Sequence, residues 1–305
     1  MDSSVKAQFP DEQSDDGRFI RQQDAFRSWV SADGHTGFPA VAGRYHLYVS
    51  LACPWAHRTI IMRKLKRLEA AIPMTVVDPI RDDRGWRFGT HFLSELYLAS
   101  DPHYRGRVTV PVLWDMQAKR IVSNSDDDIL RIFETEFDAL GDPEPDFYPA
   151  ALRAEIDALN EEIFHEFNDG VYQAGFATTQ KAYEEAAYKV FALLDRLEER
   201  LATRRYLFGD SPVETDWRTF VTLVRFDPVY YGHFKCNLRR IVDYPNLYGY
   251  LRDLYQYPGV ASTVDFDHIK RHYYYTHDDI NPTRIVPIGP LQYLDTPHGR
   301  ERLSG

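Results

Sequence analysis

Cys53 carries the first chemical signal in this chain. In Val49-Ser50-Leu51-Ala52-Cys53-Pro54-Trp55-Ala56-His57-Arg58 a thiol stands between a β-branched, aromatic stretch and a run with helical periodicity. N–H groups at a helix start carry partial positive charge, which favours thiolate over thiol. His57 and Arg58, in the next turn, add to that field. A thiolate is the nucleophile that attacks sulfur and soft carbon centres. Ala56 occupies the position where a dithiol redox site holds its second cysteine. A mixed disulfide formed at Cys53 therefore needs an external thiol to release it, which makes monothiol exchange the expected chemistry. The plain alternative, a small buried hydrophobe, is disfavoured by the Cys-Pro step at a strand-to-helix turn.

Val110-Pro111 is a second piece. X-Pro bonds tolerate the cis form, and a proline at a strand start cannot donate to a ladder. A cis bond there would leave the Val110 backbone groups to pair with an extended peptide, as an added strand would. An ordinary edge-strand proline is the alternative, and the Cys-Pro helix start upstream favours the functional reading. His268 and His272 have the spacing of two ligands on one helix face. No Glu follows His268 and no carboxylate cluster is nearby, so they read as polar lining and no metal is expected. Cys236 reads as buried and structural.

These residues need elements to hold them. Tyr45–Ser50 reads as a first strand and Trp55–Leu68 as a helix, with Ile60, Ile61, Leu65 and Leu68 on one side. Pro54 suits the first helical turn, where its missing N–H costs nothing. Strands follow at Met74–Val77, Thr109–Trp114 and Arg120–Val122, with an insert holding Asp82, Asp83, Gly85 and Trp86. Asp128–Phe137 reads as an amphipathic helix. Strand, helix, strand, hairpin and closing helix is the thioredoxin order, an α/β domain with helices on a mixed sheet.

Gly141, Pro143, Pro145 and Pro149 read as a linker. Beyond it, Tyr183, Ala186, Val190, Leu193, Leu194, Leu197 and Leu201 form one wide helical stripe. Further helices are expected at Trp217–Phe226 and Tyr244–Tyr257, and the tail from Asp278 is irregular. The organisation is an arm over 1–43, a thioredoxin-like thiol-binding domain over 44–140 and an all-helical domain over 141–305. Phe19, Ile20, Phe26, Trp29 and Val30 give the arm apolar groups to pack on the body.

With 305 residues, 44% of them hydrophobic, the chain suits two packed domains. A net charge of -10 argues against a sequence-independent nucleic-acid binder, which needs basic surface. No apolar run approaches a membrane span, and Met1 to Asp16 lacks the apolar core of a signal peptide. Two cysteines far apart in sequence do not make a secreted disulfide scaffold, so a reducing cytoplasm is the expected compartment.

The run from Cys53 to Arg58, with Gly106-Arg107-Val108-Thr109-Val110-Pro111-Val112-Leu113-Trp114-Asp115, resembles the glutathionyl-hydroquinone reductases, the Xi class of glutathione transferases. So do Gly170-Val171-Tyr172-Gln173-Ala174-Gly175-Phe176-Ala177-Thr178, Arg225-Phe226-Asp227-Pro228-Val229-Tyr230, Phe234-Lys235-Cys236-Asn237 and Ile280-Asn281-Pro282, and the likeness runs from about Phe38 onward. The resemblance implies the glutathione-transferase fold, a homodimer, and removal of glutathione from a glutathionyl-hydroquinone through a Cys53 mixed disulfide. It implies glutathione as co-substrate, with no metal and no nucleotide, and a small aromatic substrate as partner. Tyr172 and Tyr273 match the tyrosines of the hydroquinone pocket. Trp86, Arg107, Val110, Pro111, Ser125 and Asp126 fall at thiol-ligand positions, with a loop-anchoring core residue as the alternative for Trp86.

Two departures stand out. The family's Ser-Asn-Glu-Ser, whose Glu takes the γ-glutamyl amine and whose Ser takes its carboxylate, is here Ser123-Asn124-Ser125-Asp126. With Asp127 and Asp128, acidic groups crowd the helix start, which suits its dipole but repels an anionic γ-glutamyl group. The expectation is either glutathione, with Ser125 still serving, or another low-molecular-weight thiol such as a mycothiol-like one. Val213 replaces a helix-capping Thr, so Ser211 or Asp210 must cap, or about 1 kcal/mol of stability is lost. The alternative function is a general Cys-type thiol transferase or dehydroascorbate-type reductase. A non-catalytic binding module would commonly have lost the nucleophile, which this chain keeps.

Overall fold

The structure, a computed structural model, describes residues 12–82 and 84–304; the start of the expected arm and Asp83 of the expected insert lie outside the described residues. The chain divides into two compact units. One takes Gln23–Asp146 and Pro258–His272, and the other takes the chain up to Gln22, Phe147–Tyr257 and the chain from Tyr273 onward.

The first unit is built on β1 (Tyr45–Val49), α1 (Pro54–Leu65), β2 (Met74–Val76), the small hairpin β3 (Arg87–Phe88) and β4 (His91–Phe92), α2 (Ser94–Ser100), β5 (Val112–Asp115), β6 (Arg120–Ser123) and α3 (Asp126–Thr135). Tyr45, Leu47 and Val49 alternate inward along β1, the period of a pleated strand. The sheet runs β2-β1-β5-β6. β1 and β2 are parallel, with Leu47 opposite Met74, which requires a crossover, and α1 supplies it. β5 runs antiparallel to β1, with Leu47 opposite Leu113, and β6 antiparallel to β5.

β5 begins at Val112 rather than at Thr109 as the sequence pattern suggested. Thr109 is held off the ladder by Tyr97, whose hydroxyl donates to the Thr109 carbonyl at 2.9 Å and accepts from its N–H at 3.1 Å. α3 begins earlier than expected because Ser125 caps it, its hydroxyl accepting from the Asp128 N–H at 3.4 Å. Beside β6 the arm is ordered. Ser28 N–H donates to Val122 O at 2.9 Å and Asn124 N–H to Phe26 O at 3.0 Å, so the outer edge of β6 is covered by backbone pairing.

The second unit is helical: α4 (Arg153–Ile163), α5 (Gly170–Gly175), α6 (Gln180–Leu201), α7 (Glu214–Arg225) and α8 (Pro245–Gln256). Ala186, Val190, Leu193, Leu194, Leu197 and Leu201 bury the α6 stripe. α7 is buried at every position, as the central helix of a bundle must be. α9 (Phe266–Arg271) is the helix contributed by the C-terminal half of the sequence to the sheet unit. Single π turns occur at Phe164–Asn168, Phe226–Tyr230 and His272–Thr276, a deviation that often marks functional sites. The tail is irregular, and the buried Arg300 guanidinium fastens it by donating to Leu201 O at 3.0 Å and Arg205 O at 2.9 Å. Among the described residues no helix is long and apolar enough to cross a membrane.

Candidate active site

Cys53 is the N-cap of α1, with extended backbone (φ -75, ψ 120), and Pro54 takes the first helical position. Its N–H donates to Ser50 O at 3.2 Å and its carbonyl accepts from His57 N–H at 3.0 Å. The sulfur is half-buried and lies 3.5 Å from Val110 O. Val110-Pro111 is cis. Ala56 is fully buried, so the position of a second thiol is filled by packed methyl. Asn124 steadies the loop before Pro111: its amide donates to Thr109 Oγ1 at 3.1 Å while its carbonyl accepts from Phe26 N–H at 2.9 Å.

The field around Cys53 differs from the sequence reading in one respect. Arg58 is buried and directed away to α3, its Nη1 lying 2.8 Å from Asp126 and 3.3 Å from Asp127. Arg27 closes on Asp128 with two contacts, at 2.8 and 2.6 Å. The acidic α3 start is thus matched by two guanidinium groups, and much of the repulsion expected there is compensated.

The remaining thiol-ligand positions belong to the same unit. Ser125 is buried at the α3 cap. Arg107 is half-buried, and its carbonyl accepts from the Tyr104 hydroxyl at 2.6 Å. Trp86 is buried and stacks on His272, ring centroids 4.9 Å apart, which anchors the insert. His272 donates from Nδ1 to Pro79 O at 2.8 Å. His268 instead turns to Ser50, so the two histidines serve different partners. A cavity of about 370 Å³ opens beside them, lined by Val77, Asp78, Pro79, Arg87, Phe88 and His268.

In the helical unit Tyr172 and Tyr273 come together, their hydroxyls 2.5 Å apart. Tyr230 joins them, 3.1 Å from the Tyr273 hydroxyl. Burial pushes Tyr273 well above the usual phenol range, so it remains a protonated donor. Phe234 stacks on Tyr230 with centroids 5.4 Å apart and meets the Tyr172 ring edge-on. Gly175 permits this closeness, because a Cβ there would lie 2.2 Å from the Phe234 ring. Arg21 spans the Tyr172 ring at 5.0 Å and is held by Asp169 at 2.6 Å. Cys236 is fully buried, and burial pushes its thiol up to about 12, which makes it inert as a nucleophile.

Residues 52–136 match the glutathione S-transferase N-terminal domain family and residues 180–253 the corresponding C-terminal domain family. The glutathionyl-hydroquinone reductase YqjG of Escherichia coli K12 is 55% identical over 95% of this chain and 94% of its own length. The chain belongs to the glutathionyl-hydroquinone reductase family. PcpF, the glutathionyl-hydroquinone reductase of Sphingobium chlorophenolicum, is 48% identical over 93% of each chain. The glutathione-bound structure of YqjG superposes with a TM-score of 0.88, covering 90% of this chain and 96% of that one at 56% identity. The Xi glutathione transferase of Phanerochaete chrysosporium gives 0.89, at 48% identity, covering 92% and 95%. This member of the Xi class is thus an enzyme with the glutathione-transferase fold.

For this Xi-class transferase, local sequence reasoning singled out Cys53 and Val110, and the family resemblance added Tyr172 and Tyr273; neither singled out Tyr230, Arg21 or Asn124. Tyr230 closes one of the family motifs, and that position was the available signal. Nothing in the pattern around Arg21 marks it.

Proposed function

We propose that this enzyme removes the glutathionyl group from a glutathionyl-hydroquinone through a mixed disulfide at Cys53. The observation that carries the reading is the Cys53 sulfur at the α1 N-terminus, 3.5 Å from Val110 O, with Ala56 in place of a resolving thiol. The Cys53 thiolate attacks the glutathione sulfur. The aryl carbon–sulfur bond breaks, its electron pair stays with the ring carbon, and a proton completes the hydroquinone. A second glutathione thiolate then attacks the glutathione sulfur of the mixed disulfide, releasing Cys53 and glutathione disulfide. The ring carbon is reduced by two electrons while two sulfurs, the thioether sulfur of the conjugate and the thiol of the second glutathione, are oxidised to the disulfide, so the electrons balance.

The Val110 backbone pairs with the cysteinyl backbone of glutathione, beside Pro111, with Trp86 and Arg107 bordering the same thiol. Ser125 and the α3 start take the γ-glutamyl carboxylate, and Asp126 takes its amine; the Arg58 and Arg27 contacts support glutathione over a thiol lacking that end. Tyr172 and Tyr273 hold the hydroquinone, donating to its oxygens and supplying the proton. Cytoplasmic location follows from the need for a reduced thiol pool. A homodimer is supported by the family likeness and by apolar tail residues left exposed, Ile285, Ile288, Leu291 and Tyr293.

The test is turnover of a glutathionyl-hydroquinone with glutathione, followed as hydroquinone and glutathione disulfide in equal amounts. Cys53→Ser is expected to abolish it. Turnover of small disulfides or dehydroascorbate alone would favour the general thiol transferase, and turnover only with a sugar-based thiol would overturn the glutathione assignment.

A further inference from the structure

The turn that presents Cys53 is braced from a distant part of the sequence. Residues 258–272 pack in the sheet unit and touch the turn on both sides. On the helix side His57 Nε2 lies 2.8 Å from Thr263 Oγ1. Thr263 sends its own hydroxyl proton to Val260 O at 2.6 Å, so it accepts, and His57 donates from Nε2. On the strand side Ser50 Oγ lies 3.3 Å from His268 Nε2. Ser50 also accepts the Ala52 N–H on that oxygen at 3.2 Å, and its hydroxyl proton is available to His268. His57 and Ser50 are fully exposed to no solvent at all, and Thr263 and His268 are nearly as deeply buried.

We propose that Thr263 and His268 are positioning residues for Cys53. Ser50 and His57 are both bonded to the Cys53 backbone, one accepting its N–H and the other donating to its carbonyl. Pro54 sets φ for the first turn of α1 but supplies no N–H of its own. Helical side chains lean toward the N-terminus, and the His57 ring therefore lies over the turn that Cys53 begins. Holding Ser50 and His57 keeps the sulfur at the α1 N-terminus, where the helix dipole favours a thiolate. The segment is itself fixed: Asp265 caps α9 by accepting from His268 N–H at 2.9 Å, and His272 reaches Pro79 O at 2.8 Å. Arg58, the nearest guanidinium along α1, is engaged with Asp126 and Asp127.

The effect on turnover rests on the reaction proposed above; the effect on thiol reactivity does not. The experiment measures iodoacetamide alkylation of Cys53 against pH by peptide-resolved mass spectrometry, with steady-state kinetics and Tm for each variant. Thr263→Val is expected to raise the alkylation midpoint by about half a pH unit. It is also expected to lower kcat about tenfold with KM for glutathione little changed. Thr263→Ser, which keeps the hydroxyl, restores both. His268→Leu behaves like Thr263→Val, whereas His268→Gln, which can still accept from Ser50, stays near wild type. An unchanged midpoint in Thr263→Val and His268→Leu overturns the proposal, and a lowered Tm with an unchanged midpoint assigns the contacts to stability alone. A shifted midpoint in an enzyme that does not turn over glutathionyl-hydroquinones would retain the brace and reject the substrate.

Discussion

Arg58 decides how the acidic start of α3 behaves. Its side chain is only 1% exposed and reaches both Asp126 and Asp127. Removing one partner of a buried pair leaves the other charge uncompensated, at a cost of about 3 kcal/mol. Arg58→Gln is therefore expected to lower stability by that order in chemical denaturation and to raise KM for glutathione several-fold. Adding Asp127→Asn, the other carboxylate that Arg58 holds, should bring KM back toward wild type; if it does not, uncompensated charge at the α3 start is not what repels the thiol. Tyr230 lies 3.1 Å from the Tyr273 hydroxyl, and Tyr230→Phe removes one neutral hydrogen bond of about 1 kcal/mol. Steady-state kinetics should show kcat several-fold lower with KM little changed. Cys53 was legible because its chemistry is local, a thiol before proline at a strand end. The partners of Arg58 were not, because an ion pair between α1 and α3 has no sequence period to announce it.

At the start of α7, Val213 supplies no side-chain cap, and neither Ser211 nor Asp210 takes its place as expected. Asp216 does the work instead, accepting the Val213 N–H at 2.7 Å, the Leu207 N–H at 3.0 Å and the Tyr250 hydroxyl at 2.6 Å. Restoring a capping hydroxyl with Val213→Thr is expected to add about 1 kcal/mol, read from denaturant unfolding. The π turn at Phe226–Tyr230 leads to His233, whose imidazole burial pushes down to about 3. Its folded value lies below its unfolded one, so the stability it contributes is present above the unfolded value and is lost as pH falls toward 3. From pH 7.5 to pH 5 that loss is about 2 kcal/mol. Asp216, raised to about 6 by burial, works in the opposite sense. The His233 share is therefore read by comparing wild type with His233→Asn at both pH values, and the variant should lose less. Helix periods and strand alternation were readable from residue pattern. Element starts shifted wherever a side chain outside the pattern, Tyr97 at β5 or Ser125 at α3, set the boundary.

At the scale of the whole molecule, the alternation of strands and helices before the prolines and the helical stripes after them conveyed the fold class. The path of residues 258–272 was beyond that reasoning: their packing in the sheet unit depends on contacts with Ser50, His57 and Pro79, more than a hundred residues away in sequence. The exposed tail makes its own prediction. Ile288 is 97% exposed, and light scattering should give a dimer for the wild type and a larger monomer fraction for Ile288→Asp; a monomeric wild type would contradict it. The proposed reaction turns on the mixed disulfide at Cys53. Intact and peptide mass spectrometry after mixing the enzyme with one equivalent of glutathionyl-hydroquinone, without added glutathione, tests it most directly. One glutathionyl group on Cys53, released hydroquinone in equal amount, and loss of the adduct when glutathione is added are the expected result. Hydroquinone release with Cys53 unmodified, or an equal yield from Cys53→Ser, would contradict it.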